Sequence, residues 1–570
     1  MSEKISGADA LMRSLIAEGV DLVFGYPGGS IMPVYDKLYD YQDKLRHILV
    51  RHEQGATHAA QGYARVTGRP GVVIVTSGPA ATNVITGIGD ALMDSTPMVV
   101  ITGQVATPFL GFDAFQETDV VGVTQPLTKW SYQIRRAEDV SWAVARAFYI
   151  ASSGRPGPVV LDFTKDAQVG LAEFSHKKCE YIRSYQPVPE IDEQAIDEAA
   201  ELINAARRPM ILSGHGVMIA NAEKELAELA ETADIPVAAT LLGLSTMPSD
   251  HPLYKGMLGM HGNIGPNINT NQADLLIAIG MRFDDRVTGN EKTYAPNAKI
   301  VHIDIDSSEF NKNIPVTVAV HGDARTVLQH LLPKVKSAKH TEWLKSFDRP
   351  DEVEYEKVVK REVYPESGRM NMGEVVNKVS EATGHDAVVV TDVGQNQMFS
   401  ARYFRYTKPR SMVTSGGLGT MGFGLPAAIG AKMGDPGRTV CLFVGDGGLQ
   451  MTIQELGTIL EYGTNVKIIL LNNNFLGNVR QWQSLFFNDR FSQTPLINPD
   501  FVALAAAYGI KAENVETREQ LDGAIQRMLE HNATYLLNVN IDETDMIFPM
   551  IPAGGDVDNI MLNATEFYKS

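Results

Sequence analysis

The chain has 570 residues, 44% of them hydrophobic and 21% charged, and a formal net charge of −18. That length predicts roughly three or four domains with ample buried core. The acidic balance excludes nucleic acid and anionic membrane as main partners, because either needs clustered cations. An anionic substrate remains possible, since a few local Arg or Lys residues and a metal suffice to hold one.

The start, Met1-Ser2-Glu3-Lys4-Ile5-Ser6, leads almost at once into a helical pattern, with no apolar signal core and no Arg/Ser-rich transit segment. A cytoplasmic location is therefore expected. The longest apolar runs, such as Cys441-Leu442-Phe443-Val444, are strand length and far short of a membrane span. Two cysteines, Cys179 and Cys441, cannot build a disulfide framework, and both are expected within regular structure of a protein kept reduced.

Short β-branched runs alternate with amphipathic stretches: Gly71-Val72-Val73-Ile74-Val75, Met98-Val99-Val100-Ile101, Val159-Val160-Leu161, Leu275-Leu276-Ile277-Ala278-Ile279, Val388-Val389-Val390 and Ile468-Ile469-Leu470-Leu471. Strands apolar on both faces and separated by helices mean parallel sheets covered on both sides. The fold class is α/β, as three doubly wound parallel-sheet domains. Pro-containing 183–191 and the charged, weakly patterned 336–373 read as linkers. They divide the chain into domains at 1–185, 190–340 and 365–545. The Pro-, Gly- and Asp-rich tail at 546–570 is expected to pack over something or to close a site.

In the first block, Arg51-His52-Glu53-Gln54 follows a strand-like run, and Glu53 at a helix start is favourable with the dipole on any reading. Three further loops have ligand-loop composition: Phe24-Gly25-Tyr26-Pro27-Gly28-Gly29, Thr76-Ser77-Gly78-Pro79 and Ala114-Phe115-Gln116-Glu117. The middle block has Gly214-His215-Gly216-Val217 after an apolar run, but no clean GxGxxG. In the third block a buried strand ends in Gly445-Asp446-Gly447-Gly448, with a helix expected near Met451, and the next strand ends in Asn472-Asn473-Asn474. Ligands of open parallel sheets sit at such carboxyl ends. Glycines admit phosphate to backbone amides at a helix start. Asp446 and Asn473 supply the oxygen ligands that Mg²⁺ takes beside a diphosphate.

The strand-Gly-Asp-Gly, helix, strand-Asn-Asn arrangement resembles the cofactor motif of thiamine-diphosphate enzymes. Together with Gly154-Arg155-Pro156-Gly157-Pro158, Met257-Leu258-Gly259-Met260-His261-Gly262, Arg282-Phe283-Asp284-Asp285-Arg286, His302-Ile303-Asp304-Ile305-Asp306, the 416–426 run and Gln481-Trp482, it is similar over essentially the whole chain to the large catalytic subunits of acetohydroxyacid (acetolactate) synthases of the biosynthetic, FAD-containing type.

That resemblance implies a pyrimidine-binding first domain, an FAD-binding middle domain and a diphosphate-binding third domain. Glu53 would act on N1′ of the aminopyrimidine, with Pro79 and Asn83 beside the cofactor and Gly28 and Gln116 at the reaction centre. Gly394, Gln395 and Asn396, where many relatives have His, would approach the diphosphate with Gly419, Gly445, Gly447, Gly448, Leu476 and Gly477. Met421 would bend the cofactor. Asp446, Asn473 and the Phe475 carbonyl would hold Mg²⁺. FAD contacts would come from Arg155, Gly214, His215, Gly216, Thr240 and Leu241. Met257, Gly259, Met260, His261, Gly280 and Arg282 would add to them, as would Asp284, Arg286, Asp304, Ile305 and Asp323.

The implied reaction decarboxylates pyruvate and ligates the two-carbon unit to a second pyruvate or to 2-oxobutyrate, the first common step of branched-chain amino acid synthesis. Trp482 and Arg286 would hold that second acid, an indole face for its alkyl group and a guanidinium fork for its carboxylate. Lys165 is a weaker candidate at the entrance. Read without the resemblance, Trp482 is a core residue and Arg286 an ion pair with Asp284 or Asp285. The resemblance also implies a homodimer or larger homo-oligomer and a separate small regulatory subunit. A pyruvate oxidase, a flavin-free catabolic acetolactate synthase and a catalytically dead homologue are the competing readings.

Overall fold

A computed structural model describes residues 4–569. Three six-stranded sheets, parallel throughout, form the framework. The first runs in the order Arg46–Leu49, Leu22–Tyr26, Gly71–Val75, Met98–Gln104, Pro158–Thr164, Trp130–Ile134. The second runs Tyr254–Met257, Val237–Ala239, Pro209–Ser213, Leu275–Ile279, Lys299–Asp304, Val318–His321. The third runs Met412–Val413, Val388–Thr391, Val440–Gly445, Val466–Asn472, Tyr535–Asn540, Lys511–Val515. Their central strands are buried on both faces, as the apolar runs require. Among the described residues no helix is long and apolar enough to cross a membrane.

Helix Glu53–Thr67 of the first domain crosses helix Gly424–Gly434 of the third at close quarters. A Cβ on Gly430 would lie 1.8 Å from the Ala59 carbonyl oxygen, and one on Gly62 would lie 2.0 Å from that of Ala427. Gly430→Ala is expected to destabilise the chain by about 1–3 kcal/mol, because the helices must part to admit the methyl group. An unchanged urea midpoint would show that the crossing is loose instead.

Two stretches differ from the sequence expectation. Much of 336–373 is helical, not a linker: Thr341–Lys345, Asp348–Glu354, the wider turn Tyr355–Val359 and Lys360–Val363. Its Trp343, Phe347 and Val358 enter the middle-domain core, and its charges Glu354 and Glu362 are buried. Cys179 lies in irregular chain between Glu173 and Asp192, half-buried, whereas Cys441 is buried in a strand as expected. The tail returns to the middle domain, where Phe548, Met550, Ile551, Val557, Ile560 and Leu562 share a core with Leu258, Phe283 and Phe347.

Candidate active site

The third-domain cluster is built at the carboxyl ends of neighbouring strands. The helix Asp446–Met451 starts directly after strand Val440–Gly445, five residues earlier than its periodicity suggests, so Asp446 opens the helix. Asp-Gly-Gly has poor helix propensity, and only close packing enforces the turn. A Cβ on Gly447 would meet the Leu476 methyl at 2.7 Å and lie 3.7 Å from the Met421 methyl. A Cβ on Gly448 would meet the Asp392 carboxylate at 2.4 Å. Both glycines therefore admit loops that crowd this corner.

Asp446 is buried, and burial pushes its carboxyl up to about 6. It accepts from the Gly447 amide at 3.1 Å and from Asn498 Nδ2 at 2.7 Å. Asn498 carries no sequence signal: it lies in a loop outside any motif, and only its return to the Asp446 corner brings it in. Asn473 Oδ1 accepts from the Phe475 amide at 3.2 Å, and its Nδ2 donates to Gln395 Oε1 at 3.4 Å.

Gly394 adopts φ 114, a backbone open to glycine, at the start of helix Gln395–Tyr403. Asn396 Nδ2 donates back to the Val393 carbonyl at 3.2 Å, and its Oδ1 is buried without a protein partner, as is that of Asn478 beside Gly394. Buried unpaired amide oxygens at a glycine-rich strand end are a polar cradle lacking its complement.

Asp392, also unremarked in the sequence, knits this corner. Its carboxylate accepts from the amides of Val393 at 2.9 Å, Gly422 at 3.0 and 3.1 Å and Gly424 at 2.9 Å. One buried side chain thus fixes the loops of Gly394, Met421 and Gly448 together.

The first-domain cluster is separate. Glu53 is the first residue of its helix, and its Oε2 accepts from Asn83 Nδ2 at 2.9 Å. The Arg51 and His52 amides donate to the buried Glu455 carboxylate of the third domain, each at 3.0 Å to Oε1. Gly28 packs on Thr76, where a Cβ would sit 2.4 Å from its methyl. Gly78 faces Gln116, which takes a positive φ of 60 in a loop beyond strand Met98–Gln104. Pro79 opens the short helix that ends at Asn83.

A cavity of about 580 Å³ runs from the middle domain to the third. It is lined by Arg155, His215, Gly216, Thr240, Leu241, Met257, Met260, His261, Gly280, Arg282, Asp284, Arg286, Asp304, Ile305 and Asp323, and at its other end by Gly394, Gly419 and Trp482. Gly214 and Gly259 lie behind this lining. A Cβ on Gly214 would meet the Gly280 carbonyl oxygen at 2.2 Å, so strand ends touch there without side chains. Asp304 is half-buried at its strand end, and its partial desolvation pushes it up to about 7. His215 also hydrogen-bonds to the Asp94 carbonyl oxygen at 3.0 Å and contacts Arg65 at 3.3 Å, tying the cavity wall to the first domain.

Trp482 is not a core residue; it is 37% exposed and lines the cavity. Arg286 reaches Asp285 only at 3.8 Å, keeps more than half of its side chain exposed, and approaches the Met260 sulfur at 3.9 Å. Both side chains thus stand at one cavity. Glu53, Gly28, Gln116 and Lys165 do not line it.

Residues 5–123 match the thiamine pyrophosphate enzyme N-terminal TPP binding domain, 196–331 the central domain and 392–539 the C-terminal TPP binding domain. The chain is 43% identical to acetolactate synthase isozyme 2 large subunit of Escherichia coli (strain K12), over 96% of this chain and 98% of that protein. It is 45% identical to the acetolactate synthase large subunit of Corynebacterium glutamicum, over 98% and 90% of the two chains. It is 43% identical to a probable acetolactate synthase large subunit of Methanocaldococcus jannaschii, over 98% and 95%. With three cofactor-enzyme domains in order at strand ends of this geometry, and relatives matched over nearly their full length, the chain belongs to the acetolactate synthase large subunits, a family of thiamine pyrophosphate enzymes.

Proposed function

We propose that the chain decarboxylates pyruvate and joins the two-carbon fragment to a second 2-oxo acid, giving 2-acetolactate from pyruvate or 2-aceto-2-hydroxybutyrate from 2-oxobutyrate. The observation that carries this is the shared cavity, in which Arg286 and Trp482 stand with Gly394 and Gly419 of the cofactor corner. When bound, thiamine diphosphate supplies the electron sink for decarboxylation.

Asp446, Asn473 and the Phe475 carbonyl would hold Mg²⁺. The acidic carboxyl and the amide oxygens suit a hard cation, and burial that raises the Asp446 carboxyl favours a bound positive charge there. FAD fits the middle-domain part of the cavity, where touching glycines leave backbone bare and Asp304 stands at a strand end as a partner for ribose hydroxyls. Glu53 would hold and release a proton at N1′ of the aminopyrimidine. Arg286 would pair with the carboxylate of the second acid, and Trp482 would cover its alkyl group.

Because Glu53 stands outside the cavity, a second copy of the chain would complete the site. The exposed Phe112 and Phe115 beside Gln116 suit such a covered face. The name "large subunit" borne by the relatives supports a smaller partner subunit.

The test is the product formed from pyruvate with thiamine diphosphate, Mg²⁺ and FAD. Acetolactate without net flavin reduction is expected; acetate or acetyl phosphate with flavin bleaching would mean an oxidase. Trp482→Leu is expected to cut the preference for 2-oxobutyrate over pyruvate by about tenfold, the scale at which an apolar pocket reads one methylene. A product ratio equal to wild type would remove Trp482 from the acceptor site.

A further inference from the structure

Helix Gly477–Phe486, which carries Trp482, has Arg480 and Gln481 as its buried residues, both polar. Its placement therefore depends on directional bonds more than on apolar packing. Gln481 is fully buried and makes four of them, one a donation from its Nε2 to the Met550 sulfur at 3.7 Å. Its Nε2 donates to the Ile547 carbonyl at 3.1 Å, and its Oε1 accepts from the Ile547 amide at 3.0 Å. The same Oε1 accepts from Gln395 Nε2 at 3.2 Å. Gln395 in turn donates to the Asp545 carbonyl at 2.8 Å. The two carboxamides grip the tail backbone as a neighbouring strand would.

The other end of the same strap, 545–551, is fastened to the opposite wall. The Ile551 amide donates to the Met260 carbonyl at 2.8 Å, and the Met260 amide donates to the Arg286 carbonyl at 2.7 Å. Phe548, Met550 and Ile551 are buried in the middle-domain core, so the strap itself cannot drift. A continuous path of backbone and carboxamide contacts thus joins the helix of Trp482 to the backbone of Arg286.

We infer that Gln481 is a positioning residue that fixes the spacing between Trp482 and Arg286, and through it the size of the second 2-oxo acid that the site accepts. The inference rests on the proposed ligase function. Gln481→Met keeps the volume and removes all four hydrogen bonds. Gln481→Glu is isosteric, keeps the acceptor oxygen for Ile547 and Gln395, and loses the donations to the Ile547 carbonyl and the Met550 sulfur.

Each variant is given pyruvate and 2-oxobutyrate in competition, and the two acetohydroxy acids are separated by mass. In Gln481→Met the preference for 2-oxobutyrate should fall about fivefold or more, exceeding the drop in total turnover, with the Glu variant between it and wild type. A folded Met variant that loses turnover while its product ratio stays within about twofold of wild type overturns the inference, since a purely structural role predicts that result. If the Met variant does not fold, the ratio of the Glu variant decides by the same direction of shift. Wild-type protein that yields acetate in place of acetolactate overturns the ligase function itself, a result distinct from an unmoved ratio.

Discussion

Glu53→Gln is expected to lower turnover by about 10²–10⁴-fold while thiamine diphosphate still binds. The carboxyl is held in place from several sides. Glu53 opens helix Glu53–Thr67, whose cap is the His52 ring accepting from the Gln54 amide at 3.2 Å. The two preceding amides are pinned by Glu455, for which Gly55 leaves room: a Cβ there would sit 2.5 Å from its oxygen. Asn83 then fixes the side chain. A glutamine carbonyl can accept from Asn83 as the carboxylate does, so the substitution removes the acid–base function and leaves the position intact. Steady-state rates at saturating cofactor, with the cofactor dissociation constant measured beside them, separate the two effects. Turnover within about tenfold of wild type would take Glu53 out of the proton transfer.

The chemistry-bearing glycines and carboxylates were legible in the sequence because each sits at a strand end that a short apolar run announces. Gly445-Asp446-Gly447-Gly448 follows Cys441-Leu442-Phe443-Val444, and Asn473 follows Ile468-Ile469-Leu470-Leu471. What stayed hidden has no local signal. Asp392 reads as an ordinary strand-end acid, yet it accepts from amides thirty and more residues away. Asn498 lies in unpatterned chain and reaches Asp446 only through the fold. The helices within 341–363 read as linker in the sequence because charges normally mark a solvated face. Here Glu354 and Glu362 point inward, where partners from other domains meet them. The early start of the Asp446 helix was masked in the same way, since tertiary packing and not propensity sets it.

Those inward charges lead to a large stability effect. Arg402→Met is expected to destabilise the protein by about 3–5 kcal/mol, the cost of stranding a buried partner. Arg402 and Glu354 have side chains 1% and 4% exposed, paired at 2.5 Å. The guanidinium also donates to the carbonyls of His261 at 3.0 Å and Gly262 at 3.1 Å. Glu354 accepts from the Ile264 amide at 2.6 Å and from Asn263 Nδ2 at 2.8 Å, capping a middle-domain helix. Without Arg402 the Glu354 charge remains buried with only neutral donors.

A second substitution tells charge from packing. Arg402→Met/Glu354→Gln keeps an acceptor for the helix start but removes the stranded charge, and should recover about 1–2 kcal/mol of the loss. Chemical denaturation of both variants measures it. A single variant within about 1 kcal/mol of wild type would mean that Glu354 finds water or another cation once Arg402 is gone, and that the junction of the middle and third domains is held by apolar packing alone.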